Sequence, residues 1–239
     1  MNMHRGLLAC FGVMVLSLPL AAHAALVTLS GDTVDFIFDD ADPGLLKYGS
    51  LSAIGDSIFA TPSEIRAEST NIMGAILFNA TGSIQVRAKD GYQLASITVI
   101  ERGDYQMSAG AENVTVSGWL SATNLYDFSQ SESVNMNITG DLTQKGTVGP
   151  VNWTGDGSLD FMAGLWEDTL LKHITLTLQN NLVASSLTEG EWAWIQKKFT
   201  GGAVDVVIET VAVVPAPAAV WLLGSGLLGL VAVARRRGA

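Results

Sequence analysis

Between residues 25 and 213 the chain holds a single histidine, His173, and no cysteine. Thiol catalysis, cysteine zinc sites and multi-histidine metal sites therefore have no residues to work with there. A serine hydrolase would have to use His173, which opens an Ile-Thr-Leu-Thr-Leu run with no G-x-S-x-G sequence beside it. It reads as a surface or strand-end residue. Paired carboxylates working as acid and base are the remaining catalytic option, because glycosidases need little more. Asp156, Asp160, Glu167 and Asp168 are candidates, but among 23 acidic side chains their proximity in sequence selects nothing. They read as solvated turns and strand faces.

Two patterns point to binding. Trp192 and Trp194 are two residues apart, so on a strand both rings project from one face, a possible platform for sugar rings if exposed and core if buried. Trp119, Trp153 and Trp166 are the other tryptophans of this stretch. Burial is the expected state of these rings. Asp39, Asp40 and Asp42, in the run Asp39-Asp40-Ala41-Asp42-Pro43-Gly44, cluster oxygen donors of the kind calcium favours. The run lacks EF-hand spacing and also fits an acidic turn closing a strand. A structural calcium is accordingly the one cofactor considered. The Asn-x-Ser/Thr sequons at Asn79, Asn113, Asn137 and Asn152 read as strand composition rather than as glycan sites.

The elements that must carry these residues are strands. Val34, Phe36 and Phe38 alternate with Asp35, Ile37 and Asp39; Val114 and Val116 with Thr115 and Ser117; Val134, Met136 and Ile138 with Asn135 and Asn137. Period two marks half-buried strands. Further strands are predicted at Leu26–Leu29, Ile72–Phe78, Ser83–Ala88, Tyr92–Glu101, Ser158–Met162, Ile174–Gln179, Trp192–Phe199 and Val204–Val213, with Gly, Asn and Asp between them. One short helical turn is expected around Gly164–Leu171. Many short strands and almost no helical period predict an all-β domain, a jelly-roll-like β-sandwich spanning 25–213.

Both flanks read as addresses. Met1–Arg5 is positive, Gly6–Leu20 is apolar, and Ala22-His23-Ala24 fits a small-x-small cleavage site, which predicts a signal peptide over 1–24. Leu7-Leu8-Ala9-Cys10 spells a lipoprotein box but leaves too little chain ahead of it for both a positive and an apolar region. At the other flank, Val214-Pro215-Ala216-Pro217-Ala218 precedes an uncharged run of 17 residues, 218–234, and then Arg235, Arg236 and Arg237. Seventeen helical residues rise ~25 Å, enough for a short transmembrane helix, and the arginines place its end on the cytoplasmic side. The 25–213 stretch is thereby predicted to lie outside. It holds nine basic side chains against 23 acidic ones, a formal charge of −14, which disfavours nucleic acid and anionic surfaces as partners.

The layout of residues 214–239 resembles a PEP-CTERM sorting signal of the VPLPA variant, with Ala216 where that variant usually carries leucine. The resemblance implies recognition by an exosortase, a membrane-embedded enzyme that cuts near the motif and passes the protein on to the cell surface. An ordinary terminal membrane anchor is the alternative. The stretches GDTVDFIFDD, Ile65-Arg66-Ala67-Glu68-Ser69 and EWAWIQKKF also resemble segments of β-rich ectodomains joined to such signals.

The sequence thus predicts a non-enzymatic bacterial protein of the cell surface or extracellular matrix, exported through signal peptidase and an inner-membrane intermediate. Two other readings stay open: a carbohydrate-binding module that takes extracellular polysaccharide on Trp192 and Trp194, and a glycosidase-like enzyme.

Overall fold

The structure, a computed structural model, describes residues 26–62, 64–166, 169–198 and 202–213. The signal-peptide residues, Ala22 and Ala24 among them, and the segment 214–239, with its motif, apolar run and Arg235–Arg237, lie outside the described residues. So do Glu167 and Asp168.

The described residues form fourteen strands with little else between them. The first five are β1 (Leu26–Ser30), β2 (Val34–Asp39), β3 (Ser50–Ile54), β4 (Ser57–Thr61) and β5 (Arg66–Thr70), with the one-turn helix α1 (Pro43–Leu46) between β2 and β3. Four long strands and two short ones come next: β6 (Gly74–Ala88), β7 (Tyr92–Met107), β8 (Asn113–Asn124), β9 (Ser131–Asn135), β10 (Asn137–Thr139) and β11 (Val151–Asp160). A single 3₁₀ turn at Gly164–Trp166 leads to β12 (His173–Ser186), β13 (Trp192–Lys197) and β14 (Val204–Ala212).

These strands form two antiparallel sheets, the sandwich that the alternating patterns predict. One runs β1-β2-β6-β12-β8-β9. The other runs β10-β11-β7-β14-β4-β3, with β13 joined to β7 and β5 joined to β13. The core lies between them, because every second side chain of each strand points inward. Phe36, Val86, Leu120, Ile174 and Leu182 come from the first sheet, and Ile97, Val99, Trp153, Ile195 and Val204 from the second, all but sealed from solvent.

Strand β7 is the spine of the second sheet. One of its edges pairs with β11 over Ser96–Tyr105. Its other edge is shared, with β14 along Tyr92–Glu101 and β13 along Gly103–Met107. At the join, Gly103 has no room for a side chain: a Cβ there would stand 2.1 Å from the Trp153 ring and 2.4 Å from the Gln196 carbonyl.

Several boundaries differ from the sequence expectation, each for a local reason. Ile72 and Met73 belong to a turn rather than to a strand over 72–78, because Asn71 (φ 52°) and Gly74 (φ 74°) reverse the chain between β5 and β6. The strand then runs unbroken through Ser83–Ala88. The expected strand over Val134–Ile138 breaks at Met136, whose amide turns aside to the Gly118 carbonyl (2.8 Å), so that β9 joins one sheet and β10 the other. The hairpin β3–β4 has no counterpart in the sequence reading. Its two-residue loop is Gly55-Asp56, with Gly55 at φ 57°, a left-handed position that glycine fills without strain. The helical turn expected over Gly164–Leu171 is present as the shorter 3₁₀ turn.

Candidate functional site

Strand β13 alternates half-buried Trp192, Trp194 and Gln196 with fully buried Ala193, Ile195 and Lys197. The inner set is small, apolar or locked to a partner, and packs against the first sheet. The outer set faces away from the core. Burial of the two tryptophans, the expected state, is therefore corrected: both rings lie on the outer face of the second sheet and keep part of their surface in solvent. Along the strand their Cα atoms are ~6.6 Å apart.

Cross-strand register supplies their neighbours. Trp194 stands opposite Glu68 on β5 and Gln106 on β7, and Gln196 stands opposite Arg66 and Asp104. The Arg66 guanidinium covers the Trp194 ring at 4.6 Å from its centroid, a cation–π contact, and is fixed there by Gln196 Oε1 (2.8 Å) and Glu68 Oε2 (3.0 Å). Gln196 Nε2 donates in turn to Asp104 Oδ1 at 2.9 Å. The guanidinium thus occupies a face of the Trp194 ring, and the rest of the outer surface of β13 combines the Trp192 ring with carboxylates and amides. Sequence spacing found the two rings; Arg66, Gln106 and Gln196 were missed, since only the strand register brings them alongside.

A second polar cluster lies inside the sandwich. Lys197 Nζ and Glu101 Oε1 are 2.6 Å apart with both side chains at 0% exposure. Glu101 Oε2 accepts from Asn180 Nδ2 (2.9 Å), and Asn180 Oδ1 accepts from the Tyr48 hydroxyl (2.8 Å). The chain of contacts thus crosses from one sheet to the other. Burial pulls the pKa of Lys197 down against the attraction of Glu101, and burial together with the Glu101 charge pushes that of Tyr48 well up. The Trp153 ring, 5.6 Å from Nζ, closes the remaining side. The sequence carried a signal for this pair: Glu101 continues the inner row of Ile97 and Val99, and Lys197 that of Ala193 and Ile195.

The other candidates are scattered. His173 begins β12, with Nε2 3.1 Å from Gln85 Oε1 and the Tyr126 ring edge-on at 6.0 Å. Partial burial, then Arg87, lowers its pKa. Asp156 and Asp160 lie on the exposed face of β11, four residues and so ~13 Å apart along the strand, beyond the carboxylate spacing of glycosidases. Their oxygens accept from Asn137 Nδ2 (3.3 Å) and the Met162 amide (2.8 Å). Asp42 caps α1, its Oδ1 taking the Leu45 amide at 2.8 Å, and Asp39 Oδ1 takes the Ala41 amide at 2.8 Å. Asp40 borders an open apolar groove of about 390 Å³ between β1 and β3. Among the described residues no group of three or more His, Cys, Asp or Glu is placed to hold a metal ion. Trp119 is half-buried on the outer face of the first sheet, whereas Trp153 and Trp166 are core, Trp166 donating through Nε1 to Glu132 Oε2 at 2.6 Å.

No family model matches the chain, and no curated protein matches it. One solved structure, described as "Structural basis for the promiscuous specificity of the carbohydrate-binding modules from the beta-sandwich super family", shares 10% identity over 76% of this chain and 97% of that one, with a TM-score of 0.20. A superposition that poor carries no argument about this chain. Among the described residues no helix is long and apolar enough to cross a membrane.

Proposed function

We propose that this protein is an exported, non-enzymatic component of the bacterial surface or extracellular matrix, delivered by an exosortase acting on residues 214–239. One observation carries the reading. Strand β14 is the last strand among the described residues, and directly after it the Val213 amide donates to the Gly91 carbonyl (2.7 Å) beside the start of β7. In sequence, Val214-Pro215-Ala216-Pro217-Ala218 follows that residue directly, which is the order of sandwich and sorting motif that this reading requires. The buried charges add support, since Glu101 and Lys197 are engaged with each other rather than with a cleft. Replacing Arg235, Arg236 and Arg237 by serine in an exosortase-bearing host tests it by immunoblot and surface labelling. Loss of processing and display is expected, because the cytoplasmic charge that holds the apolar run in register is gone; wild-type display would sink the proposal.

A second reading is favoured by the outer face of β13. A partly buried Trp192–Trp194 pair on the outer face, beside Arg66, Glu68 and Gln106, supports binding of extracellular polysaccharide. Pull-down of the secreted protein on insoluble polysaccharides, with and without Trp192→Ala and Trp194→Ala, separates this role from a passive structural one.

A further inference from the structure

The end of the sandwich that carries Val213 presents large apolar side chains to solvent among its charged ones. Tyr126 and Phe128, in the β8–β9 turn, are 75% and 72% exposed, and Met162 and Leu170, in the segment joining β11 to β12, are 45% and 54% exposed. All belong to the end that carries Val213: the Leu125 amide bonds to the His173 carbonyl, Leu94 to Leu171, and Val213 to Gly91. Phe128 is no part of the core cluster, and the Tyr126 ring stands edge-on to His173 at its rim.

We infer that this end of the domain seats against the interfacial layer of the lipid bilayer, with Tyr126 and Phe128 as its contacts. The inference rests on the reading that residues 218–234 enter the membrane. From Val213 to Ala218 there are five Cα steps, which reach at most ~18 Å even when fully extended. The interfacial layer outside the hydrocarbon takes up ~5–8 Å of that distance. The tether therefore holds the exit end beside the lipid at high effective concentration, so that a contact too weak to recruit a free protein forms within the molecule. Tyr and Phe suit the place, because rings with apolar bodies settle at headgroup depth. Charge is not the attraction: Asp90, Asp127 and Asp160 lie at this end with Lys89 and Lys172, and the domain as a whole is acidic. Zwitterionic lipid should suffice. The opposite end also exposes Ile72, Met73 and Leu187, but β12, whose 14 residues span roughly 43 Å, holds them beyond the reach of the tether.

The mature chain expected after signal-peptide removal, residues 25–239, has no cysteine, so Phe128→Cys, Tyr126→Cys and Ile72→Cys each take one nitroxide label. After reconstitution into phosphatidylcholine vesicles and flotation, labels at 128 and 126 should collide with oxygen in preference to a water-soluble nickel chelate by several-fold more than the label at 72. Vesicle-bound protein with 126 and 128 as open to nickel as 72 overturns the seat while leaving the membrane segment standing. Failure to float with the vesicles overturns the membrane segment, and the seat falls with it.

Discussion

Lys197 Nζ stands 2.6 Å from Glu101 Oε1, and neither atom has another hydrogen-bond partner among the described residues. Each charge is tolerated inside the sandwich only because the other is present. Lys197→Met should therefore destabilise the domain by ~3–5 kcal/mol, since Glu101 is left buried and uncompensated. Adding Glu101→Gln, which keeps an acceptor for Asn180, should restore at least half of the loss. Urea denaturation of the two single variants and the double variant measures this coupling; additive losses would show that the pair does not act as a unit.

Gly103 lies directly under Trp153. Gly103→Ala would drive a methyl group into the ring and into the Gln196 carbonyl, so a loss of about 3 kcal/mol or more is expected, at the upper end of overpacking penalties. Gly149, around which a Cβ meets nothing within 4 Å, is the control. Gly149→Ala should leave the melting temperature nearly unchanged, and equal effects at the two positions would contradict the packing described for Trp153.

Trp192→Ala with Trp194→Ala should give a folded protein. Their rings sit outside the core, and the Arg66–Trp194 contact contributes only ~0.5–1 kcal/mol at such a site. By contrast Trp153→Ala, a fully buried ring, should cost ~3–5 kcal/mol. Circular dichroism melts rank the two. Collapse of the β13 double variant would mean that these rings are structural after all.

The Asp35 carboxyl is held below its ordinary value of 3.8, first by the Arg87 hydrogen bond (3.0 Å) and then by that of Ser30 (2.8 Å). A depressed carboxylate stabilises the fold fully above its unfolded value and loses that contribution as pH falls through the lowered native one. Wild type should thus exceed Asp35→Asn in stability at pH 6, and the gap should close as the pH drops below about 3.8. Denaturation midpoints across that range test it; a gap independent of pH would assign the effect to packing rather than to the charge.

The all-β character of the domain was legible in the sequence because side-chain direction in a strand has a period of two, which neighbouring residues express without help from the rest of the chain. Val34, Phe36 and Phe38 on β2 are buried as their spacing requires, and β12 and β14 begin within a residue of where the pattern places them. The spacing of Trp192 and Trp194 likewise fixed that they share a face. Which face was decided only by the tertiary fold: β13 pairs with β5 and β7 so that Ala193, Ile195 and Lys197 point inward, leaving the tryptophans outside. Alternation alone cannot say which of its two sides will be covered. Glu101 and Lys197, 96 positions apart in the chain, meet because β7 turns from β14 to β13 between Glu101 and Gly103, and the Asp39 and Asp42 carboxylates cap backbone amides because a turn and a short helix close over them. Such partnerships depend on register between distant strands, a quantity that local sequence does not contain.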